Sequence, residues 1–148
     1  ACFALPEAQA NPVGPQVVNG QAAIVANGTT LSITNTPGAV INWQGFSINA
    51  NETTKFIQQS AASSVLNRVV TPDPSVILGA LQSNGRVFLI NPAGVLVGAG
   101  ARIDVGGFVA STLNLSNADF AAGKMNFQGQ PGAGNVINKG NITTMPKK

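Results

Sequence analysis

The sequence predicts an all-β chain wound as a parallel β-helix. Three observations carry that expectation. First, between Asn84 and Ala110 the apolar runs are short and β-branched or aromatic: 87–90, 95–97, 101–105 and 108–110. Each is too short for a helix and reads as a strand. Second, corners rather than hairpin loops separate them. Asn91-Pro92-Ala93-Gly94 fits a type I turn, with Asn bonding back to the backbone, Pro presetting φ and Gly closing. Gly98, Gly100, Gly106 and Gly107 are expected to supply further bends that only Gly takes without strain. Third, the motif recurs irregularly from Val87, Ile103 and Val105 to Ile137 and Ile142, as coils of roughly twenty residues with insertions would. The handedness rule for parallel crossovers makes the winding right-handed.

The elements follow in order. Residues 1–10 read as a signal-peptide remnant: Ala1-Cys2-Phe3-Ala4-Leu5 fits the end of an apolar core, and Ala8-Gln9-Ala10 has the small-x-small form of a cleavage site. The domain is then expected over 11–148, as the N-terminal part of a longer chain. Residues 16–25 and 29–34 flank Asn27-Gly28, the strongest short hairpin signal, and a type I′ turn is expected there. Such an antiparallel hairpin would cover the open end of the first coil. Pro37-Gly38 leads into a strand at 39–43 and a run at 45–48 with Phe46 and Ile48 on one face. Trp43, the single Trp, is read as a core or cap anchor because of the area it buries.

Residues 55–59 and 63–70 are strand-like, the second placing Val65, Leu66, Val69 and Val70 around Asn67-Arg68. Thr71-Pro72-Asp73-Pro74 breaks the chain. Residues 75–82 fit a helix start, with Asp73 as N-cap and Pro74 in the first turn, but Gly79 and the short length favour two strands. Residues 111–117 alternate Leu113 and Leu115 with polar residues, which is strand periodicity. A loop or single helical turn is expected at 119–123, a weak strand at 125–127, a Gly/Pro-rich protruding loop at 128–134 and a further coil at 135–143.

Composition narrows the function classes. Charged residues are 9% of the chain, far below the usual quarter, so the surface rests on Asn, Gln, Ser and Thr. The net charge of +3 is spread singly, which argues against nucleic acid. The chain has no His and no Tyr, which removes the commonest general base and metal ligand. No catalytic, metal or cofactor site is expected. A carbohydrate-active β-helix enzyme would need clustered carboxylates, often with calcium, and the five acids are scattered. Cys2 is alone, and no apolar run approaches a membrane span. Phe46, Phe56, Phe88, Phe108 and Phe127 are read as stacked interior or cap residues. Asn42, Asn67 and Asn91 are expected to bond backbone at turns, and Asp73 and Asp104 to cap or to be solvated.

One combination of segments is family-specific. Val18-Asn19-Gly20, Ile41-Asn42-Trp43, Ser64-Val65-Leu66-Asn67-Arg68-Val69, the run from Leu81 to Pro92, and Gly107-Phe108-Val109-Ala110-Ser111-Thr112-Leu113 occur in that order. The chain resembles the N-terminal two-partner secretion domain of filamentous-haemagglutinin-like exoproteins. The family hallmark Asn-Pro-Asn-Gly-Ile stands here as Asn91, Pro92, Ala93, Gly94 and Val95, with Ala93 where the family has Asn. The second family motif, Asn-Pro-Asn-Leu, is not found. The resemblance implies a right-handed parallel β-helix with an N-terminal β cap and extra-helical antiparallel strands.

It also implies a secretion signal. The exoprotein would cross to the periplasm by the general secretory machinery. There the POTRA domains of a cognate outer-membrane TpsB-type β-barrel transporter would recognise it, and it would fold at the cell surface or be released. A monomer is expected. Asn91 to Val95 form either a corner the β-helix needs or a transporter contact, and the corner reading is favoured. Trp43, Phe46, Phe88, Asn67 and Arg68 are the expected cap and core residues. The alternatives are a carbohydrate-active enzyme and an adhesin domain that binds a host ligand directly.

Overall fold

Two strands open the chain outside the coils, β1 (Gln16–Asn19) and β2 (Ala22–Asn27). The computed structural model describes residues 12–124 and 136–144. From there the chain winds through three sheets in a fixed cycle. The first coil is β3 (Thr30–Asn35), β4 (Ala39–Trp43) and a bridge from Ile48 to Ile77. The second is β5 (Thr53–Ile57), β6 (Ser64–Val69) and β7 (Ser75–Ile77). The third is β8 (Ala80–Ser83), β9 (Arg86–Ile90) and β10 (Val95–Val97). The fourth is β11 (Arg102–Val105), β12 (Gly107–Ser111), the short helix α1 (Asn117–Ala121) lying outside the coil, and β13 (Val136–Asn138). Strand β14 (Asn141–Thr144) pairs in parallel on β11.

This is the expected parallel β-helix. The sheets run β1-β4-β6-β9-β12, β13-β10-β7 and β14-β11-β8-β5-β3-β2. Strands stack in register: Ser64 pairs with Arg86, and Arg86 with Gly107, so the steps from 64 to 86 and from 86 to 107 keep the roughly twenty-residue period. Residues 75–83 form two strands, not a helix. The antiparallel strands are the cap strands, β1 on β4 and β2 on β3. The signal-peptide reading of 1–10, the weak strand at 125–127 and the loop at 128–134 lie outside the described residues.

The core is the inside of the coil. Ile33, Ile41, Trp43, Phe46, Ile48, Phe56, Leu81, Leu89 and Ile103 belong to one buried cluster. Trp43 meets Phe46 edge-on at 5.6 Å, and Phe46 stacks on Phe56 at 6.4 Å. Ile41, Asn67, Leu89 and Ala110 pair successively, one from each coil. Asn67 is thus not at a turn, as expected, but in the middle of β6 and buried. Its Oδ1 accepts the Trp43 indole N–H at 2.8 Å, and its Nδ2 donates to the Phe88 carbonyl at 3.2 Å. Both halves of the amide are satisfied, as burial requires.

Three other expectations are corrected. Asn27 pairs with Thr30, so the two-residue loop is Gly28-Thr29. Gly28 has φ +63° and no other residue type takes positive φ among the described residues, which marks a type II′ turn rather than I′. Of the expected bend glycines, none of Gly98, Gly100, Gly106 and Gly107 takes a positive φ. Glycine is needed at such corners mainly because stacked backbones meet there. A Cβ on Gly79 would lie 2.1 Å from the Asn49 carbonyl oxygen, and one on Gly140 2.4 Å from that of Gly98. Finally, residues 111–117 are not a strand. The Ser111 hydroxyl accepts the Leu113 N–H at 2.8 Å and turns the chain out of β12, and Ser116 then caps α1.

Two stability tests follow. Gly79→Ala should cost about 3 kcal/mol in urea unfolding, because its clash is with backbone, while Gly100→Ala, whose Cβ would have its nearest neighbour at 4.0 Å, should stay within about 0.5 kcal/mol. Trp43→Phe should cost about 1–3 kcal/mol, since it strips Asn67 Oδ1 of its donor.

Candidate functional site

The Asn91–Gly94 corner joins β9 to β10. Asn91 is completely buried. Its Nδ2 donates to the Asp73 carbonyl and to Ser75 Oγ, both at 2.9 Å. Its Oδ1 accepts the Ala93 N–H at 3.0 Å. Its carbonyl accepts the Gly94 N–H at 3.0 Å, closing the expected turn, and its N–H donates to the Ser111 carbonyl at 2.9 Å. The Ser75 N–H then donates to the Gly94 carbonyl at 2.9 Å. One side chain therefore ties the third coil to the second, and its backbone ties the third to the fourth. Gly94, at φ +125°, takes a conformation that suits glycine alone. Pro92 and Ala93 are half-buried, and Val95 is buried in the core. What the turn asks of position 93 is its N–H, which Ala supplies as well as Asn.

Arg68 and Phe88 lie elsewhere, on the outer face of the β1-β4-β6-β9-β12 sheet. Phe88 is not in the interior stack. It belongs to a second cluster with Val40, Leu66, Ile90, Leu115 and Phe120, and meets Phe120 edge-on at 5.3 Å. Arg68 donates to Asn42 Oδ1 at 3.3 Å, to Asn114 Oδ1 at 3.1 Å and to the Leu115 carbonyl. These acceptors are all neutral, and burial lowers the pKa of its guanidinium from the ordinary value. Asn42, expected to bond backbone, instead accepts from Arg68 across the β4–β6 pair. Phe108 is half-buried and packs against the interior cluster, and Phe127 lies outside the described residues. The site residues of the sequence therefore fall in three places: corner, interior and outer face.

Two features escaped the sequence reading. One is a polar ladder at the corner between the six-stranded and five-stranded sheets. Gln58 donates through Nε2 to Ser83 Oγ and the Arg86 carbonyl, both at 3.0 Å, and accepts from Asn35 Nδ2 at 3.3 Å. Asn84 accepts the Gln58 N–H at 2.7 Å and donates to its carbonyl at 2.6 Å. Its signal was the recurrence of Asn or Gln just after an apolar run. The other is the cover that Leu115 and Phe120 make over the outer face. Among the described residues, no three His, Cys, Asp or Glu side chains come together. Glu52 bonds the Asn49 N–H at a corner, at 3.0 Å, and Asp104 sits exposed on β11.

The chain matches the TPS secretion domain family over residues 8–147. It belongs to that family. The TPS domain is also similar to a solved structure, the HMW1 secretion domain from Haemophilus influenzae, with TM-score 0.86 and 39% identity, covering 89% of this chain and 36% of that one. It is 40% identical over 105 residues to the heme/hemopexin-binding protein of H. influenzae, covering 70% of this chain and 12% of that protein. A second H. influenzae protein of the same name is 40% identical over 77 residues, 52% of this chain and 8% of that protein. The TPS domain thus spans a small part of the curated relatives it matches. At its Asn91 corner the hydrogen bonds tie the third coil to the second and the fourth.

Asn91→Ala should therefore destabilise the TPS domain by about 2 kcal/mol or more in thermal unfolding, leaving Ser75 Oγ and the Asp73 carbonyl without their donor. Ala93→Asn, at a half-buried position whose N–H alone the turn uses, should change stability by less than about 0.5 kcal/mol.

Proposed function

We propose that this TPS domain is the secretion signal of a longer exoprotein of the adhesin or haemagglutinin kind. The chain crosses to the periplasm by the general secretory machinery. There the POTRA domains of a cognate outer-membrane TpsB-type transporter recognise it. It then folds at the cell surface, where its coils start the β-helix of the passenger. It works as a monomer and without catalysis. The Asn91–Gly94 turn serves by holding the coils in register rather than by offering its side chains to the transporter.

The observation that most supports this reading is the match to the TPS secretion domain over nearly the whole of a parallel β-helix with an antiparallel cap. At the first coil, Val17, Ala22 and Ile24 of the cap strands pack onto the core. The acids of the described residues lie on separate elements, which supports the non-enzymatic reading over a carbohydrate-active one.

Expressed with an export signal in a Gram-negative host, the chain should reach the medium or the cell surface only when the cognate transporter is present. Equal release without the transporter would overturn the reading. Turnover of polyuronides, or capture by a host matrix, would point to the alternatives.

A further inference from the structure

Among the described residues, the outermost strands of the three sheets are β1, β12, β7, β13, β2 and β14. Such edges carry unpaired N–H and C=O groups, and folded proteins blunt them with charges, Pro, bulges or short length. β7 and β13 have three residues each, and β1 and β14 four. β1 also follows Pro15 and slips in register between Val17 and Asn19. β2 is different. It has six residues, from Ala22 to Asn27, with no charge, no Pro and an unbroken register on β3.

The backbone groups of β2 point two ways. Asn27 and Thr30 flank a two-residue loop and so form a hydrogen-bonded pair, and the Thr36 N–H donates to the Gln21 carbonyl at 3.0 Å. Alternation then turns the groups of Ala23, Val25 and Asn27 toward β3. It turns the N–H and C=O of Ala22, Ile24 and Ala26 outward, where no described strand meets them. The side chains agree with this frame. Ala22 and Ile24 pack on the core, while Val25 is 60% exposed. Val25 pairs with Ser32, and the outer column continues through Lys55, Gln82 and Asp104, so an exposed apolar residue heads a polar column.

β2 is also the outermost strand that a local pairing makes. Its partner β3 follows it directly, whereas Gln16 of β1 meets Asn42 and Gly107 of β12 meets Arg86. The hairpin can therefore form before any coil stacks. A lone hairpin is marginal in water, and a third strand makes it stable. The other edge of β3 takes β5, so a strand added to β2 leaves the first rung free to form.

We propose that the free edge of β2 is the docking site for the transporter's periplasmic domain, which adds one extended strand to it. The proposal rests on the secretion reading above. The added strand bonds chiefly through its main chain, with an apolar side chain beside Val25, since β2 offers no charge to pair. The same edge is present in the hairpin and in the finished solenoid, so docking needs no stacked coil. A second copy of this chain is the competing occupant.

Because the edge is free in the folded chain, the test uses the whole domain and the detergent-solubilised cognate transporter. Ala26→Pro removes one outward N–H without touching the pairing to β3, and Val25→Lys or Val25→Glu places a charge on the edge. All three should keep the β-type circular dichroism and bind the transporter at least about 10-fold more weakly than the parent chain. Val70→Lys, the same change at a position 51% exposed outside the strands, should leave affinity unchanged. Folded edge variants with parental affinity overturn the proposal, as does equal weakening by Val70→Lys. A parent chain that sediments as a dimer dispersed by Val25→Lys, with transporter affinity untouched, assigns the edge to the second copy instead. Should the edge variants fail to fold, hydrogen exchange on the parent chain decides. Transporter binding should slow exchange of the Ala22, Ile24 and Ala26 amides, and unchanged exchange there overturns the proposal. Binding of the parent chain with no effect at β2 sinks only this inference, whereas no binding at all sinks the secretion reading as well.

Discussion

Everything in this molecule depends on parallel strands stacking in register from coil to coil. Register fixes which side chains share a column, and the columns decide what is core and what is surface. The interior column Ile41, Asn67, Leu89, Ala110 carries one polar group among apolar neighbours. Its amide has partners only where Trp43 and the Phe88 carbonyl stand. A slip of one residue would turn Asn67 outward and Arg68 inward, stranding a charge in the core. The Asn91 corner imposes the same condition from outside the strands. Its bonds reach Asp73 and Ser75 on one side and Ser111 on the other, and only the native offset satisfies them together. Polar groups thus specify a register that the apolar residues alone would leave loose.

The sequence made the strands and most corners legible, because a β-helix writes each coil as a short apolar run closed by Asn, Pro or Gly. The type I turn at Asn91 and the two strands on either side of Gly79 could be read for that reason. What could not be read is whatever depends on the neighbour some twenty residues away. Leu113 and Leu115 alternate like a strand, yet a strand there would carry β12 on past its pairing with β9. The Ser111 and Ser116 hydroxyls offer the backbone a turn and a helix cap instead. Asn67 looked like a turn residue because Asn usually is one, and its partner Trp43 lies in another coil. Gly106 looked like a residue of unusual conformation, when the constraint is a neighbouring backbone passing too close for a Cβ: the Gly85 carbonyl oxygen would be 2.9 Å away.

The five-stranded sheet shows how one pattern can hide two surfaces. β9 is buried at Val87, Phe88, Leu89 and Ile90 alike, a continuous apolar run rather than an alternation. Such runs mean a sheet covered on both faces. The coil itself covers one face, so something outside it had to cover the other. That inference was open from the sequence of β9, and also from Leu66 beside Val65 in β6. The identity of the cover was not, because a five-residue helix with two inward side chains leaves no periodic signal. Burying Leu115 and Phe120 contributes on the order of 1.5–3 kcal/mol each at full burial, enough to hold the segment against the sheet.

The topology also bears on the order in which the elements close. Most pairings join strands far apart in the chain, as in β3 with β5, β6 with β9 and β11 with β8. Such contacts close late, since each loop must be ordered before its pairing offsets that cost. A chain of this kind closes slowly, and gains stability coil by coil as rungs are added. Of the two cap strands, only β2 pairs locally, in its hairpin with β3, so that hairpin can close first, whereas β1 reaches β4 across a separation like that of a rung. The same non-local pairing that slows folding therefore sets its order: a local hairpin at the N-terminal end, then non-local rungs, with the outer cover settling after them.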